Sequence, residues 1–128
     1  MEYYFARTVG CSYEEAVSRV KEHLKTEGFG VLTEIDVRST LKKKLDMDFR
    51  KYVILGACNP RFAYRALSLE DKVGVLLPCN VVVQERQDST VEVSAVDPVG
   101  MMQAVDNPAL QEVARQVREG LKKALERV

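Results

Sequence analysis

The chain has 128 residues, 46% hydrophobic and 30% charged, which predicts one domain over residues 1–128 and excludes a disordered or collagen-like chain. Its 19 basic and 19 acidic residues cancel, which argues against nucleic acid and anionic membranes as partners for the surface as a whole. No apolar run is long enough to span a membrane and the first residues lack a secretory-signal pattern, so we expect a cytoplasmic protein without a membrane partner.

The first half of the chain predicts alternating strands and helices. Residues 2–9 are rich in aromatic and β-favouring side chains and predict a strand that ends at Gly10. A capping box at residues 12–15 begins a helix with an apolar stripe, which ends at Gly28. Residues 31–37 alternate and predict a half-buried strand. Residues 39–47 predict a short helix with Leu41 and Leu45 facing inward.

The second half predicts three more strands and two more helices. Residues 52–58 and, apart from Asn80, residues 73–83 are apolar on both alternating faces, which is typical of strands covered on both sides. A helix between them is predicted to about residue 69, residues 90–96 predict the last strand, and residues 110–128 predict a closing helix with an apolar seam.

The order β-α-β-(α)-β-α-β-β-α predicts an α+β domain with about five mostly antiparallel strands and helices packed on one face. Few helices remain to cover the second face of this sheet. Because an exposed apolar face of this kind is often buried against an identical subunit, we expect a homodimer.

The four prolines divide into two groups. Asn59-Pro60, Asp97-Pro98 and Asn107-Pro108 each combine a helix-capping side chain with a residue suited to the first helical turn, so their roles are predicted to be structural. Pro78 lies inside an apolar run and lacks the N–H that a strand needs, which predicts a bulge, a bend or an edge position.

Two Cys-Asn pairs stand beside prolines, at Cys58-Asn59-Pro60 and Pro78-Cys79-Asn80. If their strands are neighbours, the two pairs converge. A buried amide without a partner costs about 1–3 kcal/mol. Asn80 is therefore expected either to fasten a neighbouring backbone or to line a pocket.

The cysteines allow more than one chemistry. Cys11, Cys58 and Cys79 are an odd number at long spacings, which favours free thiols over a disulfide framework. A closed zinc site would need all three and His23, so we predict no metal, and the residues identify no cofactor. Cys58 and Cys79 are either buried small hydrophobic residues or a pair for thiol redox or sulfur transfer.

Charged residues near these motifs suggest a ligand. Arg61 and Arg65 follow Cys58 at the start of a helix, where the N–H groups favour anions. Glu34 and Asp36 share one side of a strand and could hold a cation or act as an acid–base pair, or could be surface carboxylates paired with Lys42–Lys44.

Four segments, residues 28–36, 55–60, 76–83 and 96–98, together resemble the prokaryotic family catalogued as domain of unknown function 302. The resemblance covers nearly the whole chain. It implies a compact α+β fold, a dimer and no established activity. By this resemblance the family motifs fall on Glu34, Asp36, Cys58, Asn59, Pro60, Pro78, Cys79, Asn80, Asp97 and Pro98.

The zero net charge is a cancellation between segments. Residues 38–65 carry 8 basic and 2 acidic groups, a sum of +6, while the segments on either side each sum to −3. The leading hypothesis is therefore a homodimeric module that binds a small anionic ligand near Cys58, Asn59, Cys79 and Asn80. The alternatives are a thiol-dependent redox or sulfur-transfer protein and a structural adaptor.

Overall fold

A computed structural model describes residues 2–128, and its five strands form one antiparallel sheet in the order β1-β5-β4-β3-β2. The strands are β1 (Tyr4–Val9), β2 (Gly30–Asp36), β3 (Tyr52–Cys58), β4 (Cys79–Glu85) and β5 (Val91–Val96). The helices are α1 (Tyr13–Thr26), α2 (Val37–Leu45), α3 (Pro60–Leu69), α4 (Pro98–Met101) and α5 (Pro108–Glu126). Two 3₁₀ segments, Asp71–Leu76 and Met102–Ala104, complete the described chain. The predicted α+β fold is confirmed.

Most of the core lies on one face of the sheet, here called the inner face. It carries Val53, Leu55, Ala57, Cys79, Val81, Val83, Val91, Val93 and Ala95, all buried. Helices α1 and α5 pack against it with fully buried leucines, Leu24 and Leu121. The opposite, outer face carries residues of alternate register, such as Ile54 and Val82, that are only half-buried. The period-2 alternation of a pleated sheet separates these two sets.

Local capping fixes the start of helix α1. The Ser12 hydroxyl accepts a hydrogen bond from the backbone N–H of Glu15 at 3.1 Å, as the sequence predicts. Gly28 follows the helix with a φ of 85°, a left-handed conformation that glycine adopts without a steric penalty. The chain then returns along the sheet as β2.

The predicted strand over residues 73–83 is wrong in its first half. Residues 71–76 form a 3₁₀ segment, and β4 begins only at Cys79, after a cis peptide bond between Leu77 and Pro78. Pro78 has no N–H to give to a ladder, so the strand starts after it. The apolar residues before Pro78 still contribute to the core, because Val73 in the 3₁₀ segment is buried.

Two expectations for residues 31–47 are also wrong. Strand β2 is the sheet edge, and every residue in it except Val31 is exposed. A register shift between Val31 and Thr33 breaks the predicted alternation, so these two residues face opposite sides of the sheet. Helix α2 begins earlier than predicted, at Val37, and Leu45 is exposed rather than inward-facing.

The three helix starts that contain proline differ in their capping. Asp97 and Asn107 accept hydrogen bonds from the backbone N–H groups of Val99 and of Ala109, at 3.0 and 3.2 Å. Asn59 makes no such bond, although α3 begins at Pro60 as predicted. Its predicted capping role is therefore wrong, and its side chain is free for another contact. Within residues 2–128 no helix is long and apolar enough to cross a membrane.

Candidate functional site

A cavity of about 300 Å³ lies at one end of the inner face of the sheet. Its floor is the pair formed by Ala57 on β3 and Cys79 on β4, which are direct cross-strand partners. Two residues further along the strands, the next pair on this face is Leu55 and Val81, both fully buried. The cavity begins where these larger side chains give way to smaller ones.

The walls come from several separate elements. From the loops and strand ends come Phe29, Leu32, Cys58, Asn59, Leu77, Pro78 and Pro98; from the helices and 3₁₀ segments come Phe62, Ala63, Ala66, Leu67, Gly74, Met102, Leu110, Val113, Ala114 and Val117. None of these side chains is charged. The cavity is thus an apolar chamber with two thiols and one amide.

The two Cys motifs predicted to converge do meet at this cavity. Strands β3 and β4 are neighbours, and Cys58 and Cys79 both line the same space. Cys79 is buried and Cys58 is half-buried. Pro78 lies beside Cys79 in the wall and Asn59 follows Cys58, so four residues of the two motifs share one chamber.

Burial makes both cavity thiols weak acids. It raises the pKa of Cys79 from 9.0 to about 11, with a smaller contribution from the nearby Cys58. It also raises the pKa of Cys58. Because the thiolate is the reactive form, neither side chain is activated as a nucleophile at neutral pH.

Asn59 brings the amide to the cavity wall. Its Nδ2 lies beside Gly28, where a Cβ atom would stand 3.0 Å away. Its side chain makes no hydrogen bond to any other residue in the range 2–128 and is half-buried. Because no buried side-chain N or O atom in residues 2–128 lacks a partner, the Asn59 amide is open to water, and a ligand that reaches it exchanges that water for its own hydrogen bond.

Asn80 does not belong to the cavity. It follows Cys79 along β4 and so faces the outer side of the sheet, where it is exposed. There it lines a shallow groove, here called the outer groove, with Tyr3, Tyr4, Tyr52 and Gln84 among its other walls. Cys79 therefore lies on the inner face of the sheet and Asn80 on the outer face.

The predicted basic residues stand outside the cavity. Arg61 and Arg65 are exposed on α3, and Arg65 donates a hydrogen bond to Gln116 on α5 at 3.3 Å. Neither lines the chamber, and Pro60 is exposed at the start of the helix. The charge surplus of residues 38–65 is a surface feature and does not enter the cavity.

Glu34 and Asp36 are used separately at the edge strand. The Glu34 carboxylate pairs with Lys21 of α1 at 2.9 Å. Asp36 accepts the backbone N–H of Ser39 at 3.0 Å and caps α2. The two carboxylates that were predicted to hold a cation or to act as an acid–base pair instead stabilise secondary structure. The lysine that pairs with Glu34 is Lys21, and not one of Lys42–Lys44 as expected.

Asp97 is a buried carboxylate with a structural set of partners. One oxygen accepts the N–H of Val99 at 3.0 Å, and the other accepts Nε of Arg118 from α5 at 2.9 Å. Its side chain is absent from the cavity wall, although the adjacent Pro98 is part of it. Asp97 therefore joins α4 to α5 beside the cavity.

The predicted site omits most of the cavity wall. Val113, Ala114 and Val117 belong to the apolar seam of α5, which predicts core packing rather than a chamber. The sequence indicates the cavity only at Ala63 and Ala66 of α3, because small residues on the inward side of a helix leave space beside it. Among residues 2–128 there is no cluster of three or more His, Cys, Asp or Glu side chains suited to a metal ion.

Comparison with known proteins gives a family and a structural relative. The model of the family "Domain of unknown function DUF302" matches residues 5–128. The crystal structure of an uncharacterized conserved DUF302 protein from Bacillus stearothermophilus is 34% identical to this chain with a TM-score of 0.93. The match covers 99% of this chain and 98% of that one. No curated protein matches the chain.

Proposed function

The chain belongs to the DUF302 family, and we propose that it is a small-ligand-binding module whose ligand enters the cavity beside Cys58, Asn59, Pro78 and Cys79. The observation that carries this proposal is the cavity itself. Protein interiors are close-packed and contain few voids larger than a water molecule. An apolar chamber of about 300 Å³ with few polar groups instead falls in the range of small-molecule sites.

The lining changes the chemistry expected of the ligand. The charge distribution of the sequence predicts an anion, but no charged side chain lines the chamber. Moving an anion into such surroundings is costly unless it is paired. We therefore propose that the buried part of the ligand is uncharged, and that any anionic group stays at the exposed surface near Arg61.

Benzene tests whether the cavity binds small apolar molecules. In a methyl NMR titration we expect saturable shifts at Ala57, Ala66 and Val113, which line the chamber. Ala63→Leu adds bulk to the wall and should weaken these shifts. Ala109→Leu, at an exposed position of α5 outside the wall, should leave them intact. Shifts that do not saturate, or that spread evenly over the molecule, would contradict the proposal.

The alternative of thiol redox or sulfur transfer depends on Cys58 and Cys79. The shared chamber favours it, while the raised pKa of both thiols opposes it. Mild oxidation with diamide separates the two functions. A binding module keeps two free cavity thiols under this treatment, whereas a redox pair forms a Cys58–Cys79 disulfide within minutes, visible by peptide mass spectrometry.

We further propose that two copies of the chain associate through the outer face of the sheet. Its residues Ile54, Val82 and Val96, on strands β3, β4 and β5, are apolar and only half-buried. Tyrosines 3, 4 and 52 flank the outer groove, a composition enriched at interfaces. An isologous dimer would bury the same patch on both copies.

Light scattering after size exclusion measures the proposed association. We expect a dimer at micromolar concentration for the unchanged chain and a monomer for Val82→Glu, which places a charge on the outer face. Val75→Glu is the control, since Val75 is 86% exposed in the 3₁₀ segment away from this face. A monomeric unchanged chain, or a dimer that survives Val82→Glu, would refute the assignment.

We also propose a cytoplasmic location, which the free cysteines at all three positions fit.

A further inference from the structure

The size of the cavity restricts what can occupy it. An engineered apolar cavity of about 150 Å³ binds benzene, which has six carbon atoms. The chamber here measures about 300 Å³, roughly twice that volume. By this proportion it accommodates about ten to twelve non-hydrogen atoms.

The position of the mouth follows from exposure. Leu32 on β2 and Leu67 on α3 both line the cavity and are nevertheless 68% and 45% exposed. A side chain that contacts both the chamber and the solvent must stand at the opening. The mouth is therefore rimmed by leucines from the edge strand and from the covering helix, so an apolar group meets apolar surface as it enters.

The remaining polar group in the wall is the Asn59 amide. It is half-buried, caps no helix and has no hydrogen-bond partner in residues 2–128. The two thiols beside it are weak hydrogen-bond donors. A hydroxyl or carbonyl group on the ligand would find its strongest partner here.

From these three observations we infer that the ligand carries an uncharged hydrocarbon group of about ten to twelve non-hydrogen atoms whose polar end hydrogen-bonds to Asn59. This inference rests on the proposed binding function and adds the ligand's size, polarity and orientation. A straight chain and a fused two-ring group both have this chemistry. The probes below distinguish them.

The test uses the cavity thiol as a reporter of occupancy. N-ethylmaleimide labels Cys58 at the chamber wall, and Cys11, which lies outside the wall, is an internal control in the same molecule. Labelling rates for each cysteine are read by peptide mass spectrometry. A bound probe should slow the labelling of Cys58 at least fivefold and leave that of Cys11 unchanged. Equal protection of both cysteines would overturn the inference.

Straight-chain primary alcohols measure the size of the site. Each added methylene should tighten binding about fourfold, as about 0.8 kcal/mol per buried CH₂ implies. We expect this increase from 1-hexanol to about 1-decanol and no further gain beyond 1-dodecanol. A plateau at six carbons, or a continued increase to sixteen, would overturn the size assignment. Tighter binding of 1-naphthol than of 1-decanol would identify the ring as the occupant, and the reverse order the chain.

Two variants test the cavity and its polar group separately. Ala63→Leu adds three carbon atoms to the wall and should shorten the optimal alcohol by about three carbons, while Ala109→Leu should not. Asn59→Ala should weaken 1-naphthol about fivefold, the value of one ordinary hydrogen bond, and leave naphthalene unaffected. Asn80→Ala, on the outer face, is the matched control. An equal effect of Asn59→Ala on both probes would overturn the assigned hydrogen bond.

The benzene titration keeps the two proposals separable. If benzene shifts the cavity methyl resonances but binding of the alcohols does not depend on chain length, the binding function stands and the size assignment is wrong. If neither benzene nor any alcohol binds, both proposals are wrong.

Discussion

The two ends of the inner face of the sheet are built from similar residues and pack differently. At the packed end, the cross-strand pair Leu55–Val81 is fully buried beneath α1 and α5. At the cavity end, the next pair on the same face is Ala57–Cys79, and the cover is α3, whose only buried residue is Ala66, together with the first half of α5. Both ends are apolar. Hydrophobicity therefore determines which face is inside, and side-chain size on the sheet and its cover determines whether that inside is filled.

Truncation of a leucine to alanine should give the largest difference in unfolding free energy between the two ends. Leu55→Ala at the packed end removes a fully buried side chain and should lower the free energy of unfolding by about 2–5 kcal/mol. Leu67→Ala at the mouth, where the side chain is 45% exposed, should lower it by less than about 1 kcal/mol. Urea unfolding measures both. Similar losses for the two variants would mean that the cavity end is packed as tightly as the other.

Gly56, between Leu55 and Ala57, tests how tightly the outer face is packed behind the boundary between the two ends. A Cβ atom there would meet the Thr33 hydroxyl oxygen and lie 2.8 Å from Cγ of Pro78. Gly56→Ala should therefore cost about 1–3 kcal/mol through overpacking, and adding Thr33→Ala should recover part of the loss. Gly10→Ala is the control, since a Cβ at Gly10 has no neighbour within 4 Å. An unchanged unfolding midpoint for Gly56→Ala would show that β2 and Pro78 move apart easily.

The Cys79 thiol predicts a pH effect that originates at the cavity end. Its pKa is about 11 in the folded protein against 9.0 ordinarily, so the unfolded chain releases this proton first as the pH rises. Its contribution to stability is complete below pH 9 and is lost between about pH 9 and 11. From pH 7 to 10 the unfolding free energy should fall about 1.4 kcal/mol further than that of Cys79→Ala. Parallel pH curves for the two proteins would contradict the burial of this thiol.

The smallest expected difference in stability is between alanine variants at the two Asn-Pro helix starts. Asn107 accepts backbone N–H groups from Ala109 and Leu110 and donates to the carbonyl of Leu69, whereas Asn59 caps nothing. Asn107→Ala should cost about 1 kcal/mol, typical of a lost cap, and Asn59→Ala only a few tenths. Thermal unfolding compares them. A larger loss for Asn59→Ala would show that its amide stabilises the cavity wall.

Parts of the fold and site follow from local sequence. The Ser12 cap, the α5 seam and the starts of α3 and α5 depend on residues a few positions apart, and the structure has them as predicted; the reciprocal bond of the capping box is absent, because the Glu15 carboxylate accepts from Arg19 instead. The convergence of Cys58 with Cys79 follows once the two strands are taken as neighbours. The start of β4 does not follow from local sequence, because an apolar run suits a strand and a 3₁₀ segment equally. The exposure of β2 does not follow either, because a single-residue bulge exchanges the faces of a strand.

Periodicity and neighbouring residues along the chain are enough to predict the class of fold, the order of its main elements and the two Cys motifs. The tertiary structure alone decided that Asn80 faces away from Cys79, that Glu34 and Asp36 have separate partners, and that the basic segment stays outside the chamber. It also decided that α3 packs against α5 and leaves a cavity beside Ala63 and Ala66. Volumes between distant segments depend on how they pack, and no local pattern in the chain records them.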